Sequence, residues 1–232
     1  MNPWLTFSLV FLSAWVVLYV AFPRLRSEMR WASVLTAPLG LTEPLFVPEY
    51  WSPPSLLDLA ARTSFDIESI IFCFAIGGIG AVFYESLIQG RHKHMTHKEQ
   101  CHPRHRYHAW ALSSPLLAFI PLYGFTTLNP IYSATIAMLI GAVAAMLCRP
   151  DLLRQIFIGG VLLLALYALF FGAMMVIYPG IIAQVWNLQV ISGILVMGIP
   201  LEELLFAFTF GMLWSSMYEH ALWFKVIPSN QK

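Results

Sequence analysis

Charge is what this sequence has least of. Asp, Glu, Lys and Arg make up 11% of its 232 residues, 13 basic against 12 acidic, where a soluble domain carries about 25%. With 59% hydrophobic residues and a mean hydropathy of +0.71, this composition belongs to an integral membrane protein. A nucleic-acid binder is excluded, because the few basic residues lie at the ends of apolar runs rather than in a patch. Cysteine is almost as scarce. Cys73, Cys101 and Cys148 share no CxxC spacing, and two of them lie inside apolar runs, which excludes a disulfide framework and a zinc knuckle. No basic residue precedes the first apolar run, Trp4 to Phe22, whereas a secretory signal opens with a charged segment. A retained span is expected there. The last apolar run holds no lysine, since Lys225 follows it, so a retinal Schiff base is excluded. An aspartate-rich motif for a metal-bound diphosphate is missing. So is a dinucleotide fingerprint: "GGIGAV" at 77–82 lacks its spacing and lies mid-helix, where small residues serve helix packing.

What the chain does have is apolar runs near the 20 or so residues that cross a bilayer. Seven candidates are read, at 4–22, 31–47, 67–89, 109–128, 131–148, 155–178 and 199–222. The second is short and interrupted by Pro38, Glu43 and Pro44. In a seven-span chain, Arg24, Arg26, Arg30, Arg91, Lys93, Lys98, Arg104, Arg106, Arg149, Arg154, Lys225 and Lys232 share one side, leaving Arg62 on the other. By the positive-inside rule, the N-terminus is expected outside and the C-terminus in the cytoplasm.

Acids are rare, so their positions carry information. "DIESIIFCFAIGGIGAVFYE" (66–85) aligns without a gap to "PLEELLFAFTFGMLWSSMYE" (200–219). Glu68 matches Glu202, Phe72 matches Phe206, and Tyr84-Glu85 matches Tyr218-Glu219. "FPRLRSEMRW" and "CRPDLLRQIF" are weaker upstream counterparts. The fold expected is all-α and membrane-integral, with seven transmembrane helices in two parallel three-helix repeats plus a linking helix. Residues 1–90 form the first repeat, 91–130 a histidine-rich cytoplasmic loop and the linking helix, and 131–232 the second repeat.

Seventeen residues separate Glu68 from Glu85, roughly 25 Å of helix at 1.5 Å per residue. The two therefore sit at opposite ends of their helix, and any carboxylate pair has to form between Glu68 and Glu202 or Glu203. Such acids beside Phe72, Phe74, Phe206 and Phe208 could protonate an alkene, with the ring faces stabilising the cation formed. As caps, Glu202 and Glu203 would follow Pro200 and favour the helix dipole. Glu85 and Glu219 are explained by snorkelling or by pairing with Arg91 or His220. Glu43, in a proline-broken run, is an intramembrane acid and so a functional candidate.

Pro200-Leu201-Glu202-Glu203 followed by Leu-Leu-Phe, with a second glutamate-bearing copy upstream, resembles the membrane-integral lycopene cyclases. That resemblance implies a redox-neutral cyclisation of the ends of a linear carotenoid, initiated by a proton and needing no cofactor. It implies catalysis by Glu202, Glu203 and Glu68, with Glu202 as the acid and Glu68 or Glu203 as the base, or these roles exchanged. Asp66, Glu43, Phe72, Phe206, Tyr84, Tyr218, Glu85 and Glu219 are read beside them as supporting residues. The first copy departs from the motif, reading Asp66-Ile67-Glu68-Ser69, and Asp66 supplies the second carboxyl group there. The connection at 48–66 is long and reads as a lid. A proton-coupled transporter or a membrane scaffold without chemistry fits the same intramembrane acids.

"RHKHMTHKEQCHPRHRYH" (91–108) carries six of the seven histidines. Its spacings match no zinc pattern, so it reads as a basic loop facing anionic headgroups. His92, His94, His97, Cys101 and His102 are the residues a metal would draw on. The expected partners are a linear carotenoid or other polyprenyl chain and the bilayer, with further copies of the chain or carotenoid-pathway enzymes compatible and nucleic acid excluded.

Overall fold

The structure, a computed structural model, describes residues 2–63 and 65–227; Lys232, counted in the charge asymmetry, and Ser64, within the lid-like connection, lie outside them. Helix α1 (Pro3–Ala21) begins where the Asn2 side chain accepts from the backbone N–H groups of Trp4 and Leu5, with Pro3 in the first turn. After a 3-10 turn, α2 (Arg26–Thr36) passes into a 3-10 segment, Ala37–Leu45. A long connection carries the short α3 (Leu59–Thr63) and leads to α4 (Ile67–Ile88), whose first turn is capped by Asp66. Strand β1 (Arg91–His94) and α5 (His97–Gln100) precede α6 (His108–Phe125). Then come α7 (Pro130–Cys148), α8 (Leu153–Ile177), α9 (Ile181–Val185), the hairpin β2 (Leu195–Val196) and β3 (Ile199–Pro200), α10 (Leu201–Trp214), α11 (Met217–Leu222) and β4 (Phe224–Ile227).

Among the described residues, four stretches are long and apolar enough to cross a membrane: α1, α4, α7, and Pro150–Ile177, which contains α8. The chain is thus a multi-pass membrane protein, but the expected seven spans in two parallel three-helix repeats with a linking helix are not what it forms. Run 31–47 yields the end of α2 and then the 3-10 segment with Pro44 inside it, because proline lacks the N–H that an α-helix needs. Run 109–128 yields the 18-residue α6, whose Pro115, Pro121, His108 and paired serines dilute its apolar character. Run 199–222 breaks at Ser215-Ser216, so α10 has only 14 residues. At 1.5 Å per residue that is about 21 Å, short of a core about 30 Å thick. The alignment partners are therefore unlike: α4 is continuous for 22 residues where its counterpart stops after 14.

Helix α4 is the central element. It packs against α1, α2 and the 3-10 segment on one side and against α8 and α10 on the other, while α10 also meets α7, and α6 lies outside on α7. The α8–α10 crossing is close because both helices present glycine. A Cβ on Gly211 would stand 2.7 Å from the Gly159 carbonyl oxygen and 3.0 Å from the Gly160 Cα. Gly211→Ala therefore has to push the two helix backbones apart, and overpacking of that kind costs about 1–3 kcal/mol. A fall in the thermal midpoint of the detergent-solubilised protein is the expected result; an unchanged midpoint would show that the crossing yields freely. The glycines of "GGIGAV" act similarly, Gly77 lying against Thr36 and Gly78 against Trp15 and Ser33.

Strand β4 pairs antiparallel with β1, setting His92 opposite Val226 and His94 opposite Phe224. The two ends of α4 are thus occupied by opposite ends of the chain. Asn2 reaches Glu68 at the start of α4, and β4 lies beside β1, just after its end.

Candidate functional site

At the first end of α4, three acids surround the helix start. Asp66 accepts from the Ser69 backbone N–H at 2.5 Å. Glu68, fully buried, accepts at Oε1 from Asn2 Nδ2 at 2.9 Å and from the Leu56 backbone N–H at 2.7 Å, leaving Oε2 without a partner among the described residues. Glu43 lies beside Asp66, Ser69 and Glu68, because Gly40 brings the 3-10 segment against the backbone of Ser69 and Ile70. Neither Glu43 oxygen has a hydrogen bond to a described residue. The helix N-terminus favours negative charge at this place.

Glu202 and Glu203 open α10, and both are buried. The β2–β3 hairpin aims them: its two turn residues, Met197 and Gly198, have φ of 53° and 84°, the left-handed conformation that a two-residue turn requires. Glu202 Oε1 accepts from Tyr132 Oη at 2.6 Å and from the Ser192 backbone N–H at 2.9 Å, and its Oε2 is buried without a partner among the described residues. Glu203 is held from three elements. Its Oε1 accepts from Tyr50 Oη at 2.5 Å and Trp186 Nε1 at 2.8 Å, and its Oε2 from Tyr167 Oη at 2.9 Å. Tyr50 comes from the lid-like connection, which is stitched down by hydrogen bonds from Ser52 N to Val185 O and from Asn187 N to Tyr50 O.

Glu68 shares no hydrogen bond with Glu202 or Glu203. A packed aromatic cluster joins the two groups instead. Trp4, whose Nε1 donates to Ser69 Oγ, meets Trp51 edge-on at 4.7 Å between ring centroids, and Trp51 lies 5.7 Å from Trp186. A second route runs from Trp4 to Phe72 to Tyr167, at 5.2 and 6.3 Å. Phe72 and Phe206 both reach Tyr167. Phe74 and Phe208 face elsewhere, towards Trp15 and Phe157. Beside this cluster, two narrow adjoining apolar grooves share Pro3 and Met174, one floored by Trp4 and Trp186 and the other running between α1 and α8.

The other end of α4 holds a second acidic group. Glu85 and Glu219 are fully buried, so they do not snorkel, and their partner is neither Arg91 nor His220. His92 Nε2 lies 3.0 Å from Glu85 Oε1, 2.8 Å from Glu219 Oε1 and 3.5 Å from Glu28 Oε2. Tyr84 is buried one residue before Glu85, and Tyr218 stacks on Phe224 beside His92. The five residues expected to serve a metal do not come together. His92 joins this acidic group, His94 lies against Phe224, His97 and Cys101 are exposed neighbours, and His102 lies near His105. Two groups among the described residues bring at least three ligand atoms within 4.8 Å of one another: Glu28, Glu85, His92 and Glu219, and His105, His108 and Cys148.

The histidine-rich segment is tied to β4 by Lys225 Nζ, 2.5 Å from Glu99 Oε1. That hydrogen bond, with those from Thr96, holds the Glu99 carboxyl down at about 2. Because the folded value is depressed, the contribution is present above the ordinary carboxylate range near 4.5 and is lost as pH falls through about 2. A small fall in the thermal midpoint between about pH 5 and about pH 2.5, reduced in Lys225→Met, is expected; an identical pH profile in that variant would count against the pair.

The sequence model of the lycopene cyclase family matches residues 129–221, fewer than half of the chain. This segment is a lycopene-cyclase-like domain. It contains Tyr132, Tyr167, Trp186, Glu202 and Glu203, whereas Tyr50, Glu68 and the first acidic group lie outside it. No curated protein and no solved structure matches the chain.

Glu202, Glu203 and Glu68 were visible in sequence as rare acids. Their partners were not. Tyr50 sits in a proline-rich connection and Tyr132, Tyr167 and Trp186 in apolar runs full of aromatics, so nothing local marked them. Glu28, in "RSEMRW", stands among basic residues where nothing local singles it out, yet it is 1% exposed.

Proposed function

We propose that the protein is a membrane carotenoid cyclase that closes the end of a linear carotenoid without net oxidation. The observation carrying this reading is the pair Glu202 and Glu203, two adjacent buried carboxyl groups against an aromatic cluster, inside the segment that matches the lycopene cyclase family. Glu202 is the acid. Its Oε1 is anchored by two donors, which leaves Oε2, unpartnered among the described residues, to carry the proton that is transferred. Protonation of the terminal double bond leaves a tertiary cation, and a neighbouring alkene attacks it to close a six-membered ring. Loss of a proton from the resulting ring cation to Glu203 gives the ionone end, and the proton count balances once the two carboxyl groups re-equilibrate. No oxidant enters.

The faces of Trp51, Phe72, Tyr167, Phe171 and Trp186 suit the intermediate cation, which is attracted to ring quadrupoles. The apolar grooves beside Trp4 and Trp186 are narrow, so an end group would enter by displacing their lining side chains, with the rest of the polyene left in lipid between α1 and α8. Glu68 and its neighbours stand across the cluster. Glu68 accepts from Asn2 and from Leu56, which suits it to tie the lid-like connection to the start of α1.

Expression in cells that accumulate lycopene, followed by pigment extraction and chromatography, tests the reading. Ring-bearing products are expected. Unchanged lycopene, with the full-length protein folded in the membrane, would overturn it.

A further inference from the structure

We infer that Glu28, Glu85, His92 and Glu219 form a binding site for one divalent first-row metal cation. The four side chains come from α2, α4, β1 and α11, of which only α4 and β1 are neighbours in sequence, and their ligand atoms all lie within 4.8 Å of one another. Three carboxylate oxygens converge on the single Nε2 of His92 at 2.8, 3.0 and 3.5 Å. One N–H cannot satisfy three such acceptors. Among the described residues the only further donor is Gln155 Nε2, 3.1 Å from Glu219 Oε2. Both oxygens of Glu28, 1% exposed, and Oε2 of fully buried Glu85 have no hydrogen-bond partner there. Buried carboxylates are normally paired or coordinate metals.

The neighbouring guanidinium groups do not meet the shortfall. Arg24 Nη2 donates to the Glu85 backbone carbonyl and Arg149 Nη1 to that of Glu219, so neither reaches a carboxylate of the group. With all three acids ionised, even a charged imidazole leaves two negative charges, which a divalent ion would balance. The spacing suits one as well. Metal–oxygen and metal–nitrogen bonds of about 2.1 Å put neighbouring ligands of an octahedral ion about 3 Å apart. Three carboxylate oxygens and one imidazole nitrogen, with no thiolate, favour Mn²⁺, Fe²⁺ or Zn²⁺ over soft ions. Bound there, the ion ties α2, α4, β1 and α11 together at the end of the protein opposite Glu202 and Glu203. The site stands independently of the cyclase reading.

The full-length protein in detergent, stripped with chelator and titrated with Mn²⁺ under electron paramagnetic resonance, provides the test. One tight Mn²⁺ per chain is expected, with a higher thermal midpoint when it is bound. Glu28→Gln should weaken binding by at least about tenfold, and Cys148→Ser should leave it unchanged. No bound Mn²⁺ in the native chain, undiminished binding in Glu28→Gln, or loss in Cys148→Ser overturns the proposal. Should Glu28→Gln fail to fold, the native protein still decides. Pulsed resonance should show coupling to one imidazole nitrogen; none, or the two expected of a site built on His105 and His108, would refute it.

Discussion

Glu203→Gln is expected to reduce ring formation by about 10²–10³-fold or more, within the range for removal of a positioned acid–base group, with the protein still inserted in the membrane. Glutamine keeps the shape of the side chain, and its amide oxygen can still accept from Tyr50 or Trp186, but it cannot take up a proton. Loss of product with folding intact therefore separates proton transfer from packing. The variants of its donors form a graded series. Tyr50→Phe and Tyr167→Phe each remove one phenol from Glu203 while keeping the ring in the aromatic cluster, so a loss of about tenfold each is expected, as for one hydrogen bond to a charged group. Glu202→Gln should be as severe as Glu203→Gln. Glu68→Gln should change product yield by only a few-fold, because the residue lies across Trp4 and Trp51 from the pair. Pigment profiles from lycopene-accumulating cells, normalised to membrane protein, measure all five. Full activity in Glu203→Gln together with none in Glu68→Gln would move the chemistry to the other side of the cluster.

Arg149→Met is expected to be the most damaging change to stability away from that pair. Arg149 is fully buried at the end of α7 and donates four hydrogen bonds to three residues. It makes a two-pronged contact with Asp151 at 2.9 and 2.7 Å, and reaches the backbone carbonyls of Glu219 at 3.1 Å and Phe224 at 2.6 Å. One side chain thus fastens the break between α7 and α8 to α11 and β4. Methionine approximates the volume and supplies none of the donors. Removing one partner of a buried ion pair costs about 3–5 kcal/mol. Since the Asp151 side chain is 38% exposed and can be rehydrated, the lower end of that range is expected. Thermal denaturation in detergent, with Asp151→Asn and the double variant completing a cycle, checks this. Additive effects of the two substitutions would show that the pair is not coupled.

The membrane class of the chain was legible from composition, and four helices were legible from apolar runs. Runs 4–22, 67–89, 131–148 and 155–178 coincide closely with α1, α4, α7 and α8. Two of the other three runs misled because hydropathy adds up side chains and is blind to the backbone, where Pro44 and the Ser215-Ser216 break act. The third, 109–128, folds as the continuous α6 and falls short in apolar character. Of the residues aligned between 66–85 and 200–219, Glu85 and Glu219 meet at one histidine. The alignment did not foretell equal helices, because α4 is packed on several sides while α10 ends where Gln155 Nε2 bonds the Ser215 carbonyl.

The sequence by itself determined that this is a lipid-embedded protein and that half of its few acids stand at the ends of two apolar runs, 67–89 and 199–222. Scarcity made those acids conspicuous, since each ionisable group placed in such surroundings has a large desolvation cost. Only the tertiary structure decided which acids meet. Hydrogen bonds and ion pairs extend about 3 Å, and here they join residues far apart in the chain: Tyr50 and Glu203 are 153 positions apart. Pairings of that reach leave no periodic trace along the chain. They arise when helices pack and bring Tyr50, Tyr167 and Trp186 around one carboxylate, and Glu28, Glu85 and Glu219 around one imidazole.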